Sequence, residues 1–163
     1  MRKAIALIAG LLVLVFVNFG IVQREQLLTD GRVVLLRLAP VDPRSLMQGD
    51  YMRLNFELAN QAFLTGRREG RTDGHLVVAV DDRGVAQYRR VADDDALAPG
   101  EVKLRYRVRN GEPVFATNAF FFEEGQAAVY ADAQYGEFRV GADGDMILTG
   151  MRDEQLRPLG VHP

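Results

Sequence analysis

The sequence predicts a mainly β (α+β) fold: an N-terminal transmembrane helix followed by an antiparallel β-rich domain with one or two short helices. Three observations lead there. Residues 4–22 form an apolar run that only Asn18 interrupts. The stretches beyond it are short and rich in Val, Leu and aromatic residues, and Gly, Pro, Asn and Asp punctuate them as strand boundaries do. One of those boundaries is Asn110-Gly111, the pair best suited to a two-residue type I′ hairpin turn because both central residues need positive φ. At 163 residues the chain suits one domain with a real core.

Taken in order, the apolar run follows Arg2 and Lys3 and would make roughly 28 Å of helix, close to the thickness of a bilayer's hydrocarbon core. A cleaved signal peptide would carry a shorter apolar region ending at a small-x-small site, and Asn18, Phe19 and Gly20 match that poorly. Residues 1–22 are therefore expected to be an uncleaved anchor held in the bilayer through residues 4–22. The two basic residues keep the N-terminus inside. This places a single-pass protein in the cytoplasmic (inner) membrane, with 23–163 as its extracytoplasmic domain, periplasmic in a Gram-negative host.

After the anchor, "QREQLLTDG" extends the helix by a turn or two until Gly31 ends it. "RVVLLRL" (32–38) follows as a strand, and the prolines of "APVDP" stop it. Between 51 and 58, Met52, Leu54, Phe56 and Leu58 alternate with Tyr51, Arg53, Asn55 and Glu57, the pattern of a half-buried strand. The polar, glycine-containing stretch 61–74 is expected to be a mobile loop. "HLVVAV" and "VAQYRRV" then form a hairpin around "DDRG", and "ADDDALAPG" leaves the sheet. "VKLRYRVR" and "EPVFATNAF" make the second hairpin, around Asn110-Gly111. "EEGQAAVYADAQYG" has helix composition and a closing Gly136, and "EFRV" and "DMILTGM" end the chain as a hairpin around "GADG".

Composition excludes some chemistry. With no cysteine there is no disulfide, thiolate metal site or cysteine nucleophile. His75 and His162 are too few for a histidine-rich metal site, so no metal and no cofactor is expected. Without Arg2 and Lys3 the external part has 18 basic against 22 acidic side chains, a net charge of −4 that argues against nucleic acid as a partner.

The segment Gly49-Asp50-Tyr51-Met52-Arg53-Leu54-Asn55-Phe56 closely resembles the signature of the bacterial family named for its GDYXXLXY motif, with Phe56 in place of the final tyrosine. Also similar are the single anchor, the "VDPRSLMQ" lead-in, "FFFEEG" at 120–125 and "YGEFRV" at 135–140. The resemblance implies a membrane-anchored, functionally uncharacterised protein, often encoded beside multi-spanning membrane proteins, which makes such a protein the expected partner. It carries over no catalytic residue. Physically, Gly49 supplies a backbone conformation costly to other residues, and Asp50 can accept nearby backbone N–H groups to fix a turn. Leu54 and Phe56 share the buried face. Tyr51 points the other way and covers something else, such as the "DPRS" turn. The motif is accordingly expected to serve folding.

An enzyme alternative pairs Ser45 with Lys103 as an anchored Ser–Lys hydrolase, distantly like bacterial signal peptidases. The gap between Ser45 and Gly49-Asp50 is shorter than in those enzymes, and Lys103 shares a solvated face with Arg105, Arg107 and Arg109, whereas a general-base lysine needs desolvation. Asp81-Asp82, Asp93-Asp94-Asp95 and Asp143-x-Asp145 lack EF-hand spacing and suit solvated turns. The run Phe120-Phe121-Phe122 suits core and sheet contact, and Glu123 and Glu124 suit a helix N-terminus.

Lys103, Arg105, Arg107 and Arg109 occupy successive same-face positions about 6 to 7 Å apart, a basic stripe in an acidic domain. A two-residue turn sets them opposite Asn118, Ala116, Val114 and Glu112, so this hairpin offers a carboxylate to Arg109 alone. Either a neighbouring strand or the 93–95 loop supplies the missing acids, or the stripe docks an acidic partner or anionic headgroups. The function expected is that of a non-enzymatic accessory protein whose external domain binds a membrane or periplasmic protein.

Overall fold

A computed structural model describes residues 2–39, 47–48, 51–64, 73–92, 96–109 and 112–160. Helix α1 (Arg2–Asp30) is long and apolar enough to cross a membrane once, with Leu11, Leu12, Phe16 and Phe19 all exposed. It continues past the apolar run and stops where Gly31 meets strand β1 (Arg32–Arg37). The reason for glycine here is crowding: a Cβ would collide with the Leu27 carbonyl and come within 3.1 Å of the Arg139 Cβ. Arg139 also donates to the Gly31 carbonyl at 3.1 Å, which ties the end of α1 to the sheet.

The rest is antiparallel β with short helical pieces. Strands β2 (Met47–Gln48) and β3 (Tyr51–Arg53) lead into helix α2 (Glu57–Leu64). Strands β4 (Asp73–Val80), β5 (Ala86–Val91), β6 (Glu101–Arg109) and β7 (Glu112–Phe115) follow, then β8 (Ala119–Phe121). A single 3-10 turn (Ala127–Tyr130) precedes β9 (Tyr135–Val140), β10 (Met146–Arg152) and β11 (Pro158–Leu159). The described strands form three sheets, ordered β1-β9-β10-β11, β2-β3-β8 and β5-β4-β6-β7.

One core joins them. Val34 and Leu36 from β1, Phe138 from β9, Met151 from β10, Leu76 and Val78 from β4, and Leu104 and Tyr106 from β6 are all nearly inaccessible. Leu35 points away from Val34 and Leu36 yet is also buried, because the β4–β5 turn closes over it and the Gly84 carbonyl accepts its N–H at 2.8 Å. Phe56 meets Phe138 and Phe115 edge-on at 5.5 and 6.2 Å. Edge-on contact suits the quadrupoles of packed rings.

Three expected elements are corrected. The alternating stretch 51–58 buries Met52, Leu54, Phe56 and Leu58, but only Tyr51–Arg53 is strand, and Glu57 opens α2. The segment "ELANQAFL" is made mostly of good helix formers, and Leu58 and Ala62 fall one turn apart on its buried side. Leu58 thus satisfies both periods. The expected loop at 61–74 therefore begins within α2 and ends at β4, and residues 65–72 lie outside the described residues. The helix-like composition at 123–136 yields only the 3-10 turn, because Gly125 takes φ +83° and the aromatic packing of Tyr130 sets the path. Tyr130 lies 5.0 Å from Phe120 and 5.3 Å from Phe122 between ring centres.

Candidate functional site

The second hairpin organises the site. Asn110 and Gly111 lie outside the described residues, but the strands they join pair as Arg109 with Glu112, Val108 with Pro113, Arg107 with Val114 and Tyr106 with Phe115. There the pairing stops. Ala116 takes φ 39°, a left-handed conformation rare outside glycine, and the chain swings away to β8. The expected oppositions of Arg105 with Ala116 and Lys103 with Asn118 do not form.

The vacated place on β6 is filled from another sheet. In an antiparallel ladder alternate residues turn their backbone groups to the same side. The Arg107 and Arg109 N–H groups face β7, so that of Arg105 does as well, and it donates to the Gly144 carbonyl at 2.8 Å. Gly144 belongs to the β9–β10 turn, has φ +85°, and sits against His75 and Arg105 so closely that a Cβ would be 3.0 Å from the His75 ring and 3.3 Å from the Arg105 nitrogen. The same turn brings Asp145 to Arg105 at 2.7 Å. Among the described residues the acid that meets Arg105 is thus one of the β9–β10 turn; the 93–95 segment lies outside the described residues. Both partners are well exposed, so the pair contributes at most about 1 kcal/mol.

Between the departing β7–β8 corner and the docked β9–β10 hairpin lies a groove of about 430 Å³. Arg105 and Arg107 line one part of it, Phe120 and Phe121 another, and Met146, Ile147 and Leu148 a third, and Arg24 of α1 also lines it. Among the described residues Arg24 and Arg107 have no ion pair. Phe121 is 74% exposed, unlike its neighbours Phe120 and Phe122, so one ring of the aromatic run faces outward.

Charge is handled differently elsewhere. Glu101 starts the stripe face of β6 and accepts from Arg90 at 2.7 Å and from the Ala98 N–H at 3.0 Å; these bonds hold its carboxyl below the usual range. A second groove of about 420 Å³ is bordered by charges that already have partners, Arg37 with Glu57 and Arg83 with Asp81. Asp81 also accepts the Arg83 and Val85 N–H groups, and Asp143 accepts that of Asp145, so both acids brace turns. No group of three or more metal-ligating side chains occurs among the described residues.

The motif residues divide. Gly49, Asp50 and Ser45 lie outside the described residues, so the turn assigned to the first two and the Ser–Lys pairing with Lys103 fall there too. Leu54 and Phe56 are buried, and Tyr51 pairs with Phe121 across β3 and β8, their rings 5.8 Å apart. Tyr51 thus connects the motif strand to the groove's exposed phenylalanine. Lys103 and Arg109 flank the groove on the stripe face without lining it. Sequence reasoning missed Arg24, Phe121 and the β10 residues. The signal for Arg24 was its place two residues beyond the apolar run; the others depend on contacts between sheets.

No curated protein and no solved structure matches the chain. A family model does, and it covers residues 13–151, from within α1 across both walls of the groove to Met151 in β10. That span takes in nearly every element described above, and the chain belongs to the GDYXXLXY protein family.

Proposed function

We propose that this chain is a non-enzymatic, membrane-anchored accessory protein whose extracytoplasmic β domain binds a membrane or periplasmic protein. In this reading α1 spans the cytoplasmic membrane once with its N-terminus inside, and the domain stands on the outer side. The observation that carries it is the groove, whose lining combines two arginines without ion pairs among the described residues, Arg24 and Arg107, with an exposed aromatic ring. Arginines and aromatic rings are side chains that interfaces favour, and a local positive field in an acidic domain selects an acidic partner. Helix length adds to this: Arg24 lies two residues, or about 3 Å, beyond the apolar run, so the groove opens at the membrane surface.

The test is purification of the full chain in mild detergent, with mass spectrometry of what stays attached. One membrane protein is expected to copurify with the wild type and to be lost from Arg24→Ser/Arg107→Ser, with an unchanged melting temperature. Added salt should weaken the association. Equal recovery with wild type and variant would remove the groove from the interface, and absence of any specific partner would overturn the reading.

A further inference from the structure

We infer that the groove takes an extended, acidic juxtamembrane segment of a membrane-protein partner, added as a strand to the open edge of β10. The inference rests on the interaction reading above and specifies its occupant. A strand that turns a face toward a groove lends it alternate residues, because side chains alternate. β10 instead lends Met146, Ile147 and Leu148 in succession, with Asp145 before them, so it presents its edge.

That edge has backbone groups to offer. Gly141 donates to the Asp145 carbonyl across the β9–β10 turn, which fixes the alternation of the ladder. Ile147, opposite Arg139, therefore turns its N–H and C=O to β9, while Met146 and Leu148 turn theirs outward. β11 covers only Met151 and Arg152, so among the described residues no strand lies against this half of β10. Unpaired groups of this kind are a template for a further strand. The β7 edge is different: Pro113 pairs with Val108 at a position whose N–H would point outward, and proline has none. β7 is blunted, whereas among the described residues no strand covers this half of β10.

Charge and height select the occupant. Arg24 and Arg107 call for carboxylates, and Phe121 and Ile147 offer the same segment apolar contacts; in an extended occupant acidic and apolar residues would alternate. Asp145 does not oppose this, since Arg105 holds it at 2.7 Å. With Arg24 so near the end of the apolar run, the segment that reaches the groove is one adjoining a partner's own transmembrane span. A phospholipid headgroup would answer the arginines but leave the β10 backbone unpaired.

The experiment uses the full chain in nanodiscs and a fluorescent peptide of alternating Glu and Val, followed by anisotropy and amide exchange. Binding should weaken at least tenfold when Lys replaces Glu, and severalfold with Arg107→Ser. N-methylation of alternate peptide amides should weaken it at least tenfold in one phase of the alternation and little in the other. Exchange at Met146 and Leu148 should slow while that at Ile147 stays the same. Indifference to N-methylation in both phases, or no binding, overturns strand addition. Displacement of the peptide by phosphatidylglycerol, with no effect from phosphatidylcholine, reassigns the groove to lipid. Copurification lost with Arg24→Ser/Arg107→Ser beside a peptide that does not bind would defeat this inference alone; loss of neither partner nor peptide would defeat both.

Discussion

Ala116 decides where the second hairpin ends. Its φ of 39° turns the chain out of β7, and a non-glycine residue held there carries a strain of about 1 to 2 kcal/mol. A β-branched side chain tolerates that conformation least. Ala116→Val should therefore destabilise the protein by about 1 to 3 kcal/mol, whereas Ala116→Gly should be near neutral because relief of strain offsets the added freedom of the unfolded chain. Urea midpoints of the two variants check this, and equal midpoints would remove the backbone from the explanation. The same residue accounts for the misplaced partners of Arg105 and Lys103: a hairpin register propagates only as far as both strands stay extended, and Ala116 carries no sequence sign of leaving.

Between β10 and β11 a short turn is braced by charge. Asp153 is buried, which works to raise its carboxyl pKa, but Arg157 donates to it from its backbone at 2.8 Å and from its side chain at 2.7 Å. The bonds and charge of Arg157 outweigh burial, and the carboxyl stays below the usual range. A group whose folded pKa is depressed contributes stability that is full above its unfolded value and disappears as pH falls through the folded one. Thermal melts of the full chain in detergent from pH 7 to about 2.5 should fall more steeply for the wild type than for Asp153→Asn, with the two converging in strong acid. A constant gap across that range would assign the turn to packing instead. On the same strand Arg152 reaches Glu137 on β9 and donates to the Leu156 carbonyl at 2.6 Å.

Across the whole molecule, the first strand of the domain pairs with one of the last, β1 with β9 along its full length, and the β9–β10 turn then docks on β6. Contacts so distant in sequence must wait for most of the chain, which favours slow folding. The end of α1 joins this closure through Arg139 and Gly31, so helix and domain share a boundary. Mature protein is expected to keep residues 1–22, stay with the membrane after carbonate washing and need detergent for extraction. Intact-mass measurement checks it; a mature N-terminus near Gln23 would mean a cleaved signal peptide.

Periodicity and turn chemistry made much of the fold legible. The apolar run, the "DDRG" and "GADG" hairpins, the register across Asn110-Gly111 and the buried set Met52, Leu54, Phe56 and Leu58 follow from local patterns, because each is determined by residues within a few positions. The basic stripe was visible for the same reason. What tertiary structure decided was everything that depends on one segment replacing another: α2 where alternation suggested strand, the departure at Ala116, Gly144 taking the place of a β7 residue, and Asp145 reaching Arg105. Backbone groups must find partners when buried, but any chain segment of suitable shape can supply them. Spacing along the sequence therefore placed the arginines on one face, while only the packing of three sheets made the groove into which two of them point.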